Sequence, residues 1–163
     1  SAAQIEAASF SPDTLDFLPA LRDHGVRYMI VGGEAVIYYG YARVTGSIDF
    51  FYEGSRDNVG RLYAALQQFW GGNVPGVTGA EEFLQPGLIV QFGVPPNRID
   101  LVNRIDGVAF ADAWSNRLAV SVQAVPDEIP VWFVGIGDLI VNKRAAARPK
   151  DLDDLRFLTR KGN

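Results

Sequence analysis

The sequence predicts an α+β fold, an α/β mixed-sheet arrangement with helices packed on a mixed β-sheet. Three observations carry this. Short runs rich in β-branched and aromatic residues, Arg27 to Val31, Ser47 to Glu53, Leu88 to Phe92 and Arg98 to Val102, are each bounded by glycine, proline or polar residues. Between them, apolar residues recur with helical period, most clearly at Val59, Leu62, Tyr63, Leu66 and Phe69. The alternation is irregular, because a hairpin-like pair of strands interrupts the strand–helix order; this points to a sheet with both parallel and antiparallel neighbours. The 163 residues fit one domain, 1–163, with a core of its own, and no internal repeat or long linker divides them.

Each element has a local reason. Ser11-Pro12-Asp13 is a helix start, a cap residue followed by proline at the first helical position. Leu15, Leu18 and Leu21 follow at helical spacing, interrupted by Pro19, and Gly25 ends the helix just after His24. The strand Arg27 to Val31 breaks at Gly32-Gly33; Glu34 to Tyr39 reads as a short helix ending at Gly40, and Tyr41 to Gly46 as a loop. Ser55 caps the long amphipathic helix. Thr78-Gly79-Ala80-Glu81 resembles a capping box for a short helix. Leu88 to Phe92 and Arg98 to Val102 form a hairpin across Gly93 to Asn97. Phe110 to Trp114 is a short helix, Leu118 to Val125 and Val131 to Val134 are edge strands, and Asp138 to Ala147 and Pro149 to Arg160 are two closing helices.

Composition narrows the chemistry. There is no cysteine, which excludes disulfides, thiolate metal sites and a cysteine nucleophile and is compatible with a cytoplasmic protein. With a single histidine, His24, a His-rich zinc site is excluded too. Any metal must be held by oxygen, which favours magnesium or manganese. No apolar run approaches the roughly 18 residues of a membrane span, and Ser1 to Ala8 does not read as a signal peptide. The net charge of −4 argues against a broad nonspecific nucleic-acid surface. The segment 143–163 is a basic helical tail: Lys143 to Lys161 holds seven basic and three acidic residues, either a local anion site or a solvated helix face.

Three features carry candidate chemistry. Gly32-Gly33 follows a strand and opens a helix, where glycine lets a phosphate approach the backbone; a plain tight turn uses the same residues. Ser47 and Asp49 lie two apart on a strand and so share a face, with Ile48 pointing into the core. Asp100, between Ile99 and Leu101, is an acid among aliphatics; it sits at a strand edge, pairs with a base such as Arg98, or binds a metal.

In order, these blocks resemble the nucleotidyltransferase superfamily typified by DNA polymerase beta. The stretch VGGEAVIYYGYARVTGSIDFF is similar to one bacterial branch, small nucleotidyltransferase-like proteins related to abortive-infection and toxin–antitoxin enzymes. Gly32, Gly33, Ala35 and Val36, then Gly40, Tyr41, Arg43, Thr45, Ile48 and Asp49, match its pattern, with thirteen residues between Gly33 and Ser47. The stretch DLIVNKRAAARPKDLDDL is also similar to this branch. The resemblance implies a nucleotidyltransferase-like core and transfer of a nucleoside monophosphate from an NTP to an acceptor, RNA or protein among the candidates, assisted by magnesium or manganese. It implies Asp49 and Asp100 as catalytic, metal-binding acids, and Gly32, Gly33, Ser47 and Lys143 as nucleotide-binding residues. Arg43, Thr45 and Lys150 read first as structural: Arg43 as an ion pair, Lys150 as an i,i+4 partner of Asp154.

The sequence departs from the pattern at two positions. Ser47 stands where the superfamily places its first catalytic aspartate, and a neutral hydroxyl offers far less to a divalent cation than a carboxylate. Glu34 stands where the branch commonly has histidine. Glu53 shares the face of Asp49 but lies roughly 13 Å further along an extended strand, too far to substitute. Ser47 therefore reads as the mark of a catalytically inactive binding or regulatory, antitoxin-like module, as an active site with unusual ligands, or as an introduced substitution.

Overall fold

The computed structural model describes residues 3–124 and 127–161. Seven strands form one mixed sheet: β1 (Ala3–Glu6), β2 (Tyr28–Val31), β3 (Ser47–Tyr52), β4 (Ile89–Phe92), β5 (Arg98–Val102), β6 (Leu118–Gln123) and β7 (Ile129–Phe133), in the order β1-β6-β7-β2-β3-β5-β4. The pairs β1–β6, β7–β2 and β3–β5 are parallel, and the others antiparallel. The helices are α1 (Pro12–Asp23), α2 (Gly32–Tyr38), α3 (Arg56–Trp70), α4 (Phe110–Ser115), α5 (Ile136–Ala146) and α6 (Pro149–Lys161).

Alternation along β3 assigns the layers. Phe50 and Phe51 are both buried but point to opposite faces. Phe50 meets Phe17 of α1 edge-on, ring centres 5.4 Å apart, and Phe51 meets Phe110 of α4 at 5.2 Å. So α1 lies on one face and α4 on the other. Val59, Leu62 and Leu66, from the amphipathic stripe, are buried, and α3 packs on α1. Ser11 caps α1 by accepting from the Thr14 amide, and Ser55 caps α3 by accepting from the Asn58 amide. The helix α1 runs on through Pro19. Asn58 is buried and laces β2 to β3, accepting from the Arg27 amide at 2.7 Å and donating to the carbonyls of Arg27 and Glu53.

The hairpin β4–β5 forms as expected, with Phe92 opposite Ile99. Three expectations need correction. The strands β6 and β7 are interior, because Ala3–Glu6 adds a parallel strand beside β6 and β7 joins β2. The polar sequence AQIE carries too little alternation to announce that outer strand. Val125, the expected end of β6, lies outside the described residues, as do Gly162 and Asn163 of the tail. At the expected capping box, Thr78 pairs with Glu82 rather than Glu81, ahead of a 3-10 turn over Ala80–Leu84. Finally, Lys150 is exposed, and Asp154 turns inward to other partners instead.

Candidate functional site

The register of three strands builds the site. Parallel pairing of β3 with β5 puts Ser47 beside Arg98 and Asp49 beside Asp100, while antiparallel pairing of β5 with β4 puts Gln91 beside Asp100. Residues side by side in register share a face. Two polar rungs therefore cross the sheet, Ser47–Arg98 and Asp49–Asp100–Gln91, on the face that carries Phe51 and α4. The sequence showed Ser47 and Asp49 to be neighbours; the pairing of Asp49 with Asp100, fifty-one residues apart, comes from the sheet.

Asp100 is buried, 7% exposed, and Arg98 grips it with two parallel hydrogen bonds, Nε to Oδ1 at 2.7 Å and Nη2 to Oδ2 at 3.0 Å. Gln91 also reaches Oδ2, at 3.4 Å. Of the settings the sequence left open for Asp100, β5 is interior to the sheet rather than at its edge, and the pairing with Arg98 is present. Ser47 Oγ donates to Asp49 Oδ1 at 2.7 Å. Burial pushes the Asp49 carboxyl above the ordinary carboxylate range, the Ser47 hydrogen bond opposes this, and the neighbouring Asp100 pushes it further up.

The Gly32-Gly33 turn closes on this pair. Gly32 has φ +68°, and a Cβ there would sit 2.6 Å from Asp49 Oδ2. A Cβ on Gly33 would sit 2.7 Å from Thr45 Oγ1 and 2.9 Å from Arg43 Nη2. The glycines are needed because Asp49 and the loop before β3 press against the turn.

That loop is fixed by α6. Arg43 makes two hydrogen bonds to the buried Asp154, at 2.8 and 2.9 Å, and Tyr41 donates to Asp153 at 2.6 Å while stacking on Phe157. Lys143, in the buried centre of the α5–α6 pair, lies 3.2 Å from Asp151 and 3.0 Å from Asp154. Its side chain is 5% exposed, so its ammonium could reach a phosphate only by abandoning two buried carboxylates. The basic tail is thus partly neutralised from within: Asp151 takes Lys143 and Arg148, and Asp154 takes Lys143 and Arg43. Arg43 pairs with an acid 111 residues away, a partner that sequence spacing cannot name. Glu53 is occupied by Arg27 and Ser55.

As a donor set, Asp49 and Asp100 offer hard oxygens whose mutual repulsion a divalent cation would relieve, which fits one such ion. No cluster of three or more acidic, histidine or cysteine groups able to hold a metal occurs among the described residues. Also among the described residues, no helix is long and apolar enough to cross a membrane.

A mixed sheet with a glycine turn set against acids on adjacent strands defines a nucleotidyltransferase-like α+β fold. The profile of the family described as "Nucleotidyltransferase of unknown function (DUF6036)" matches residues 16–158, and the chain belongs to that family. No curated protein matches the chain.

Proposed function

We propose that this nucleotidyltransferase-family protein transfers a nucleoside monophosphate from an NTP to an acceptor at the rung formed by Asp49 and Asp100. The observation that carries the reading is the direct register of these two acids beside the Gly32-Gly33 turn. In the transfer, an acceptor oxygen bonds to the α-phosphorus, the bond from that phosphorus to the bridging oxygen breaks, and pyrophosphate leaves. Asp49 and Asp100 would hold magnesium or manganese, which supplies positive charge against the phosphate oxygens. The Ser47 hydroxyl keeps Asp49 oriented. Gly32 and Gly33 let the backbone of the turn lie directly against Asp49 and the loop before β3, where its amides would face the phosphates. Lys143 acts at a distance, by holding Asp154 and through it Arg43 and the loop before β3. RNA and protein are the acceptor classes to test first, and a cytoplasmic setting fits a chain without cysteine.

A second reading rests on Arg98. A guanidinium already on both oxygens of Asp100, with Ser47 in place of an acid, suits a module that binds nucleotide without turning it over, in a regulatory or antitoxin-like role. One experiment separates the two. The protein is incubated with α-labelled NTPs, manganese and a mixed RNA and protein acceptor pool, alongside Ser47→Asp. Label transfer that disappears in Asp49→Asn supports the enzyme. Absence of transfer from both proteins, with nucleotide binding retained in calorimetry, supports the binding module.

A further inference from the structure

We propose that the cavity beside Ser47 is a separate ligand subsite for a small organic amine whose ammonium pairs with Glu34. The cavity measures about 290 Å³, at the small end of the range of small-molecule pockets. Its polar wall is formed by Ser9, Ser11, Thr14, Glu34, Thr45, Ser47 and Asn97, and among the described residues no lysine or arginine lines it. A phosphate would meet the Glu34 carboxylate there with no basic side chain in the wall to hold it.

The wall presents one carboxylate among hydroxyls, with the Asn97 amide at its rim. Ser47 donates its proton to Asp49, Ser11 donates to Thr14, and Thr45 donates to the Ser47 carbonyl. Each of these three hydroxyls has its hydrogen engaged with the protein and at least one lone pair left for a ligand, although Ser11 also accepts from the Thr14 amide. Glu34 adds a carboxylate that has no hydrogen bond or ion pair among the described residues. Arg43, whose charge reaches it, is turned to Asp154. Burial holds the Glu34 carboxyl above its ordinary range, and a bound cation would reverse that. Phe10, Ile37, Val44, Ile48 and Pro96 complete the wall with apolar surface. A half-buried, unpaired acid among hydroxyls calls for a ligand positive at one end and hydroxylated elsewhere, and an amine of monosaccharide size meets both demands.

Ser47 is the wall shared with the carboxylate pair, so on the nucleotidyltransferase reading the occupant is the acceptor. The inference rests on that reading only for this role, not for binding. The test is NMR titration of the isotope-labelled protein with glucosamine, N-acetylglucosamine and glucose, with manganese binding measured separately on the same sample. The expected result is saturable shifts at Ser11, Glu34, Thr45 and Ser47 with glucosamine alone, and affinity reduced about tenfold or more in Glu34→Gln. Equal binding of all three sugars, unchanged affinity in Glu34→Gln, or no shift with glucosamine would overturn the subsite. Manganese binding that survives such a result would leave the proposed transferase site standing, whereas amine binding without manganese binding would leave the subsite and remove the transferase reading.

Discussion

Arg98 grips both carboxylate oxygens of Asp100, while Asp49, directly beside Asp100 on the neighbouring parallel strand, takes a hydrogen bond from Ser47. The guanidinium stands where it competes with any cation drawn to Asp100. Arg98→Gln removes the competitor and leaves Asp100 uncompensated. Manganese affinity is expected to rise about tenfold or more, and the metal-free protein to melt at a lower temperature. Calorimetric titration and a thermal scan check the two halves.

Ser47→Asp restores the acid that the superfamily pattern places there. It also breaks the Ser47–Asp49 hydrogen bond and sets like charges together on one strand face. Without metal, stability should fall by about 2 kcal/mol. Manganese should recover that loss, and by more than it stabilises the parent protein. Urea denaturation with and without manganese gives both values.

Lys143 is the centre of a buried charge network rather than a free base. Lys143→Met leaves Asp151 and Asp154 short of a partner and should cost about 3–5 kcal/mol. Burial alone would raise the Asp151 carboxyl, but hydrogen bonds from Arg148 and Lys143 outweigh it and hold it below the usual range. A depressed carboxyl contributes stability above its unfolded value of about 3.9, and that contribution is lost as the pH falls through the folded value. The acid-side loss of stability should therefore be shallower in Lys143→Met, as read from urea midpoints between neutral pH and pH about 3.

Ala147 closes α5 with φ 53°, a left-handed conformation that alanine adopts at a cost, and its amide donates to the Lys143 carbonyl. Ala147→Gly keeps the hydrogen bond and removes the strain. Stability should rise by about 0.5–1 kcal/mol, measured by chemical denaturation, with manganese binding unchanged.

Asp49 has the opposite sign from Asp151. Its carboxyl is raised by burial and then by Asp100, so its contribution to stability is present below about pH 3.9 and lost as the pH rises through the folded value. At neutral pH the ionised Asp49 weighs against the metal-free fold. Asp49→Asn should be more stable than the parent there by about 1 kcal/mol, with the gain vanishing in acid.

Much of this was legible in the sequence. Short β-branched and aromatic runs bounded by turn residues located the strands β2 to β5, and apolar spacing of helical period with cap residues located the helices α1, α3 and α6. The edge strand at Ala3–Glu6 was not, since a short polar strand at the rim of a sheet buries almost nothing. At the site, Gly32, Gly33, Ser47, Asp49 and Asp100 were nameable because glycine turns and isolated acids stand out locally. Their mutual placement was not, because register is a property of the sheet. Lys143 and Arg43 show the same limit: a basic residue in a sequence carries no sign of whether it faces solvent or a buried acid on another helix. Glu34 was visible as a departure from the branch pattern, but its cavity exists only once the turn at Ser9–Ser11 folds beside β3.

Manganese binding to the parent protein, Asp49→Asn and Asp100→Asn, followed by electron paramagnetic resonance at neutral pH, tests the paired acids most directly. One bound ion is expected in the parent, with affinity lower by about tenfold or more in each variant. Equal binding by all three proteins, or no binding by the parent even with an NTP present, would contradict it.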